Sequence, residues 1–260
     1  MTVALKVEGL RKSFKQRDRT IAAVDGADFE VLEGEVFGLL GMNGAGKSSV
    51  IKMCTGLLRP DGGSIEIYGR DAIGERAHVN KLINVSPQET AVAPSLTVRE
   101  NIELIAELYG ADKRAARAAA DDILARIKLQ DRARDRAGKL SGGLMRRLSV
   151  GMALVTSPKL IFLDEPTLGL DVVARRELWK IICEIKSATA IVLTTHYLEE
   201  AEALCDRIAI MTRGRIAAVG TANELKRASG ESDFENAFLR LSGELDDARV
   251  FGGDIRGDII

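Results

Sequence analysis

Apolar and polar positions along this chain fall into two recurring patterns. Short apolar runs bounded by turn residues predict buried strands at 35–40, 160–163, 190–194 and 208–211, and alternation predicts a further strand at 64–68. A second strand at 216–219 pairs back on 208–211 around Arg213-Gly214. Apolar residues three and four apart predict amphipathic helices: Leu178, Ile181, Ile182 and Ile185 share one face, as do Ile102, Ile105, Ala106 and Tyr109. Thr97 followed by Glu100 is a capping box that starts the second of these. Further helices are predicted over 47–58, from Asp112 to about 129, over 144–155, over 198–204 and over about 233–241.

The order of these elements implies architecture. Residues 1–35 read as short strands joined by a polar hairpin at 15–20, an N-terminal antiparallel β-subdomain. Strand and helix then alternate, which predicts an α/β fold with a mostly parallel sheet covered on both faces. No strand pattern occurs between about 96 and 157, so a helical subdomain is inserted there. Residues 1–230 are read as one domain, and 231–260 as a short helix followed by a mobile tail rich in Asp and Gly.

Composition narrows the partners. The 37 Lys and Arg nearly balance the 38 Asp and Glu, and aromatics are few, which argues against nucleic acid as a partner. Cys54, Cys183 and Cys205 are far apart, odd in number and set in apolar stretches, so they read as small hydrophobes in a reducing compartment. The N-terminus lacks a signal-peptide core, and no apolar run approaches the ~18 residues that cross a bilayer. Any membrane role must come through a partner.

The chemistry starts at Gly41-Met42-Asn43-Gly44-Ala45-Gly46-Lys47-Ser48, the pattern G-x-x-x-x-G-K-[ST] between a strand and a helix. Its glycines let successive N–H groups, through Ala45 and on to Ser49, face phosphate oxygens. Lys47 reaches the β- and γ-phosphates, and the Ser48 hydroxyl can ligate Mg²⁺. The strand at 160–163 ends at Asp164-Glu165, where an open α/β sheet places its ligand. Asp164 fits a direct or indirect Mg²⁺ ligand, and Glu165 can polarise the attacking water. Leu140-Ser141-Gly142-Gly143 precedes a helix. With Ser141 as N-cap, that helix start forms a second anion site about a hundred residues from the first.

Taken together, these motifs resemble the ATP-binding subunit of ABC transporters, over about residues 3–241. The P-loop NTPase (RecA-like) motifs follow the family's order: the loop at 41–48, Gln88, Leu140-Ser141-Gly142-Gly143, Asp164-Glu165, Gly169-Leu170-Asp171 and His196. The resemblance implies ATP hydrolysis with Mg²⁺, in a head-to-tail dimer with a second copy or a paralogous subunit. Each ATP then lies between the 41–48 loop of one subunit and Ser141-Gly142-Gly143 of the other. The resemblance also implies that Phe14 stacks on adenine, the alternative being an ordinary strand core residue. It makes Gln88 a contact to Mg²⁺ and water, Glu165 the general base, His196 the γ-phosphate sensor, and Asp171 the residue that crosses the dimer. His78 matches nothing and reads as surface.

Met42 and Leu144 depart from the family pattern. Met42 contributes backbone only, and Leu144, in place of a Gln, removes a polar contact near the ribose without touching the phosphate-facing groups. The stretches 96–101, 141–147, 194–202 and 238–241 resemble drug, antibiotic and lipid exporters whose permease is a separate transmembrane chain. The implied location is the cytoplasmic face of the membrane, with the permease's helix docked between the helical insertion and the core near Gln88. The alternatives are a soluble ABC ATPase acting on a non-membrane complex, and a nucleotide switch without turnover. The first usually carries paired cassettes or inserts that this chain lacks. Intact Glu165 and His196 argue against the second.

Overall fold

The computed structural model describes residues 2–16 and 19–243. The tip of the predicted hairpin and the Asp- and Gly-rich tail beyond 243 therefore lie outside the described residues.

Two strands open the chain, β1 (Val3–Gln16) and β2 (Arg19–Leu32), and each is long rather than short. Register shifts interrupt their pairing, among them between Val7 and Leu10 and between Lys12 and Ser13. Each bulge resets which residues face inward, so one long strand reads as several short alternating ones. β1 also pairs antiparallel with β4 (Gly62–Ile67), and β4 with the two-residue β5 (Arg70–Asp71), in the order β2-β1-β4-β5.

The second sheet contains β3 (Val36–Leu40), β6 (Ile83–Ser86), β7 (Leu160–Asp164), β8 (Ala190–Thr195), β9 (Arg207–Thr212) and β10 (Arg215–Gly220). Its order is β10-β9-β3-β8-β7-β6, parallel except for β10. Every residue of β3, β7 and β8 is buried, as a sheet covered on both faces requires. Neighbouring β3 residues feed different cores. Phe37 and Leu39 join Leu5, Phe29 and Phe162 beneath the antiparallel sheet, Val36 joins the helical side, and Leu40 packs with Ile208, Ile210 and Phe234.

The helices are α1 (Lys47–Cys54), α2 (Arg76–Val79), α3 (Val98–Leu108), α4 (Lys113–Arg126), α5 (Gly142–Leu154), α6 (Val172–Ile185), α7 (Leu198–Leu204), α8 (Ala222–Ser229) and α9 (Phe234–Leu241). α1 stops short of the predicted 58, because Thr55 Oγ1 donates back to Ile51 O and Gly56 turns left-handed, a helix-ending conformation. The capping box of α3 is present in both directions. On its face Ile102 and Ala106 are buried, but Tyr109 is exposed, because it caps the helix end and leaves the stripe. Between 96 and 157 the described residues form helices, 3₁₀ turns and one isolated bridge, Thr97 to Arg136. β6 was not legible as a strand: four residues with a polar Asn84 show too little alternation. α8 carries its own capping box, Thr221 with Glu224, that the pattern reading passed over. Cys54 is buried as expected, whereas Cys183 lies on the outer face of α6, exposed.

Candidate functional site

Four parallel strands end at one edge of the sheet. β3 delivers Gly41, β6 leads to Gln88, β7 ends at Asp164, and β8 leads to His196. Pairing in register (Leu40 with Thr195, Asp164 with Thr194, Ser86 with Leu163) aligns these ends. A cavity of about 540 Å³ opens there, bordered by the loop from Asn43 to Ser49 with Gln88, Glu165 and His196, and also by Ala23 and Leu168.

The loop keeps its shape through glycines. Gly44 and Gly46 have φ of 84° and 108°, and a Cβ on Gly46 would stand 2.3 Å from the Ala23 carbonyl oxygen. No side chain caps α1 at Gly46, so its first N–H groups remain open to an anion. Lys47 folds inward, 5 % exposed. Its Nζ donates to Gly41 O at 2.6 Å and Met42 O at 3.2 Å, and lies 3.4 Å from Glu165 Oε1. Burial lowers the Lys47 pKa from its usual value, partly offset by Glu165 and then Asp164.

The two acids are held by the strand beside them. Thr194 Oγ1 donates to Asp164 Oδ1 at 2.6 Å and accepts from the Glu165 N–H at 2.9 Å. Ser48 Oγ donates to the same Asp164 oxygen at 3.0 Å. Glu165 sits at φ 49°, a left-handed backbone that a non-glycine residue adopts only under constraint. Its Oε2 is 2.7 Å from His196 Nδ1; an ionised carboxylate only accepts, so Nδ1 is then the donor. The turn thus swings the Glu165 side chain into the cavity while Asp164 stays beneath it.

The donor set suits Mg²⁺. The Ser48 hydroxyl and the Asp164 carboxylate converge, with the Gln88 amide at the rim, and all are hard oxygen ligands. Among the described residues no cluster of three or more His, Cys, Asp or Glu forms a cage.

Other expected site residues stand apart from the cavity. Phe14 is 42 % exposed on β1, opposite Ile21, which is also exposed, with Lys12 Nζ 5.7 Å from its ring centre. That excludes the alternative of an ordinary core residue. Ser141 caps α5, its Oγ accepting from Leu144 N at 3.4 Å, with Ser141 and Gly142 facing solvent. A Cβ on Gly143 would stand 2.7 Å from Ala174 Cβ, so the starts of α5 and α6 touch. Asp171 is exposed and caps α6 through Ala174 N at 2.8 Å. His78 is exposed, as read.

The motif reading missed Thr194 and Arg146. The polar pair Thr194-Thr195 ending an apolar strand was the available signal for the first. For Arg146, buried at 4 % exposure and bonded to five backbone carbonyls, the adjacent Arg147 gave spacing no way to choose. Glu200 is also fully buried; its carboxyl is pushed up by burial and accepts from Trp179 Nε1.

Comparison with known proteins places these features in a family. The model of the family described as ABC transporter matches residues 24–168. The daunorubicin resistance ATP-binding protein DrrA3 of Streptomyces coeruleorubidus is 41 % identical over 243 residues, covering 93 % of this chain and 75 % of that protein. A solved ATP-binding subunit of an ABC transporter superposes with a TM-score of 0.79 at 29 % identity, covering 92 % of this chain and 99 % of the other. A dimeric ATP-binding cassette in a post-hydrolysis state, bound to ADP and Pi, shares the fold with a TM-score of 0.75 at 24 % identity, over 84 % of this chain and 98 % of that one.

Proposed function

Since the chain belongs to the ABC transporter family, as an ATP-binding and ATP-hydrolysing subunit, we propose that it powers a separate membrane permease that exports a drug, antibiotic or lipid-like compound. The observation that carries the reading is the meeting of Lys47, Glu165 and His196 within one cavity on the phosphate loop. The similarity to a daunorubicin resistance protein supports the exporter assignment.

In this reading the N–H groups of 43–49 and Lys47 bind the β- and γ-phosphates. The phosphates then compete with Glu165 for the Lys47 ammonium. Released from Lys47, Glu165 takes a proton from the attacking water while His196 holds the carboxylate and touches the γ-phosphate. The water oxygen bonds to the γ-phosphorus as the bond to the β–γ bridging oxygen breaks, giving ADP and phosphate. Ser48, Asp164 and Gln88 would hold Mg²⁺, which when bound neutralises charge on the phosphates. Phe14 offers an exposed face for adenine.

The solvent-facing Ser141 end of α5 has no partner in the cavity of its own chain, which favours a head-to-tail dimer with a second copy or paralogue. There Ser141, Gly142 and Gly143 close on the other subunit's phosphates and Asp171 crosses the interface. The dimeric cassette of the same fold is a precedent. Residues 1–230 act as one ATPase domain with the helical part inserted.

For the permease, Leu57 and Tyr109 are exposed at a smaller cavity of about 200 Å³ that Arg76, Asn84 and Val85 also line. This rim, formed in part by β6, the strand that leads to Gln88, suits a cytoplasmic helix of a transmembrane partner. No helix among the described residues is long and apolar enough to cross a membrane, so attachment to the cytoplasmic face runs through that partner.

Glu165→Gln tests the base. Turnover should fall about 10²- to 10⁴-fold, with ATP retained and the variant accumulating as an ATP-bound dimer on size exclusion. Turnover equal to wild type sinks the assignment.

A further inference from the structure

Helix α5 starts at an exposed, Ser141-capped end and reaches, within a turn and a half, the buried Arg146. Ser141 caps the helix and Arg146 lies five residues on, about 7–8 Å along the axis. The Arg146 guanidinium spans two pieces of chain, 87–88 and 164–166. Nη1 donates to Pro87 O at 2.6 Å and Gln88 O at 3.1 Å, Nη2 to Asp164 O at 2.8 Å and to Glu165 O, and Nε to Pro166 O at 2.8 Å. Asp164 closes β7 and the other four carbonyls lie in loop backbone just beyond the ends of β6 and β7, and buried carbonyls need partners. A planar fork can serve them together, as a lysine cannot. The five bonds are all to backbone, so Arg146 fixes where the chain runs, and side chains then project from that path.

Two further contacts tie α5 to the end of β6 and to the start of α6. Ser149 Oγ lies 2.9 Å from Ser86 Oγ at the end of β6. Gly143 lets the start of α5 approach Ala174 on α6 with no room for a Cβ. One end of this helix faces outward, and its interior holds both the Gln88 loop and the Glu165 turn.

We propose that Arg146 is a positioning residue for hydrolysis: it locks Gln88 and Glu165 in register with α5, so that engagement of the Ser141–Gly143 end by a phosphate is felt at the chain's own catalytic edge. In a head-to-tail dimer this joins the two ATP sites mechanically, through one side chain per subunit. The inference rests on the roles of Gln88, Glu165 and the Ser141 end set out above.

The test uses the full chain with Arg146→Lys, which keeps the buried charge and loses the fork, and Arg146→Gln, which keeps part of the donor set. Both are measured for melting temperature, ADP affinity and ATP turnover. The expected result is a fall in kcat of roughly 10- to 100-fold, the scale of one or two lost charge-assisted hydrogen bonds. ADP affinity should stay within about 2-fold of wild type, because Arg146 touches none of the residues of the phosphate loop. Joined to Gln88→Ala, Arg146→Lys should cost much less than it does alone, since part of its effect runs through that loop. Wild-type kcat in a folded variant overturns the proposal. So does a parallel loss of ADP affinity, or a full multiplicative loss in the Gln88→Ala background. If neither variant folds, hydrogen exchange on wild type decides: non-hydrolysable ATP should protect 86–90, 141–146 and 164–167 together, and protection of one without the others overturns the proposal. Glu165→Gln, run alongside, separates the two readings. If it turns over ATP, the base assignment fails; if it is inactive and Arg146→Lys behaves as wild type, only the positioning role fails.

Discussion

Thr194→Val isolates one hydroxyl on which both acids depend. Thr194 is fully buried, and its Oγ1 donates to Asp164 Oδ1 at 2.6 Å while accepting from the Glu165 N–H at 2.9 Å. Valine keeps the shape and removes both bonds. A hydrogen bond to a charged acceptor is worth about 1.5–3 kcal/mol, and a buried amide left without a partner costs about 1–3 kcal/mol. Valine's extra methyl returns about 1 kcal/mol of apolar burial. The net expected loss is about 1.5–5 kcal/mol. Thr194→Ser is the control: it keeps the hydroxyl, drops the methyl and should lose about 1 kcal/mol. Urea unfolding followed by fluorescence of Trp179, the sole tryptophan, measures both. Turnover should fall more in the valine variant, because Glu165 loses the contact that secures its backbone at φ 49°. A loss under about 1 kcal/mol for valine, or a serine variant as destabilised as the valine one, refutes the reasoning.

Gly46→Ala should destabilise more than Gly44→Ala and abolish nucleotide binding. Both glycines have positive φ, which costs alanine about 1–2 kcal/mol, but only the Gly46 Cβ runs into the Ala23 carbonyl; equal losses in urea unfolding would count against this. In thiol labelling, native protein should react at the exposed Cys183 alone, since burial pushes the Cys54 thiol up to about 12 and raises Cys205 well above its usual value; rapid native labelling of Cys54 would contradict it. Burial raises the Glu200 carboxyl, so the native chain keeps a proton that the unfolded chain releases. The stability tied to that proton is present below the ordinary carboxylate range and is lost as pH rises through the raised native value. The melting temperature of Glu200→Gln relative to wild type should therefore climb as pH rises above the ordinary carboxylate range, and a flat difference would refute the assignment.

What the sequence by itself determined is local or contiguous. The phosphate loop needs glycine at two left-handed positions and a lysine after them, and eight consecutive residues carry that information. The buried strands declare themselves as apolar runs, and the helix starts at Thr97 and Ser141 through cap residues that bond within three positions. The tertiary structure decided the rest. It set β6 as a strand by pairing it with β7, a choice four mixed residues do not encode. It turned Arg146 inward rather than Arg147, because the carbonyls that need a guanidinium come from 87–88 and 164–166, far along the chain. It made Thr194 the support of Asp164 and Glu165 through the parallel register of β7 and β8. Local patterns report how a residue's neighbours in sequence constrain the backbone. The partner of a buried polar group is set by which strand ends meet at one edge of the sheet, and that is known only once the sheet has formed.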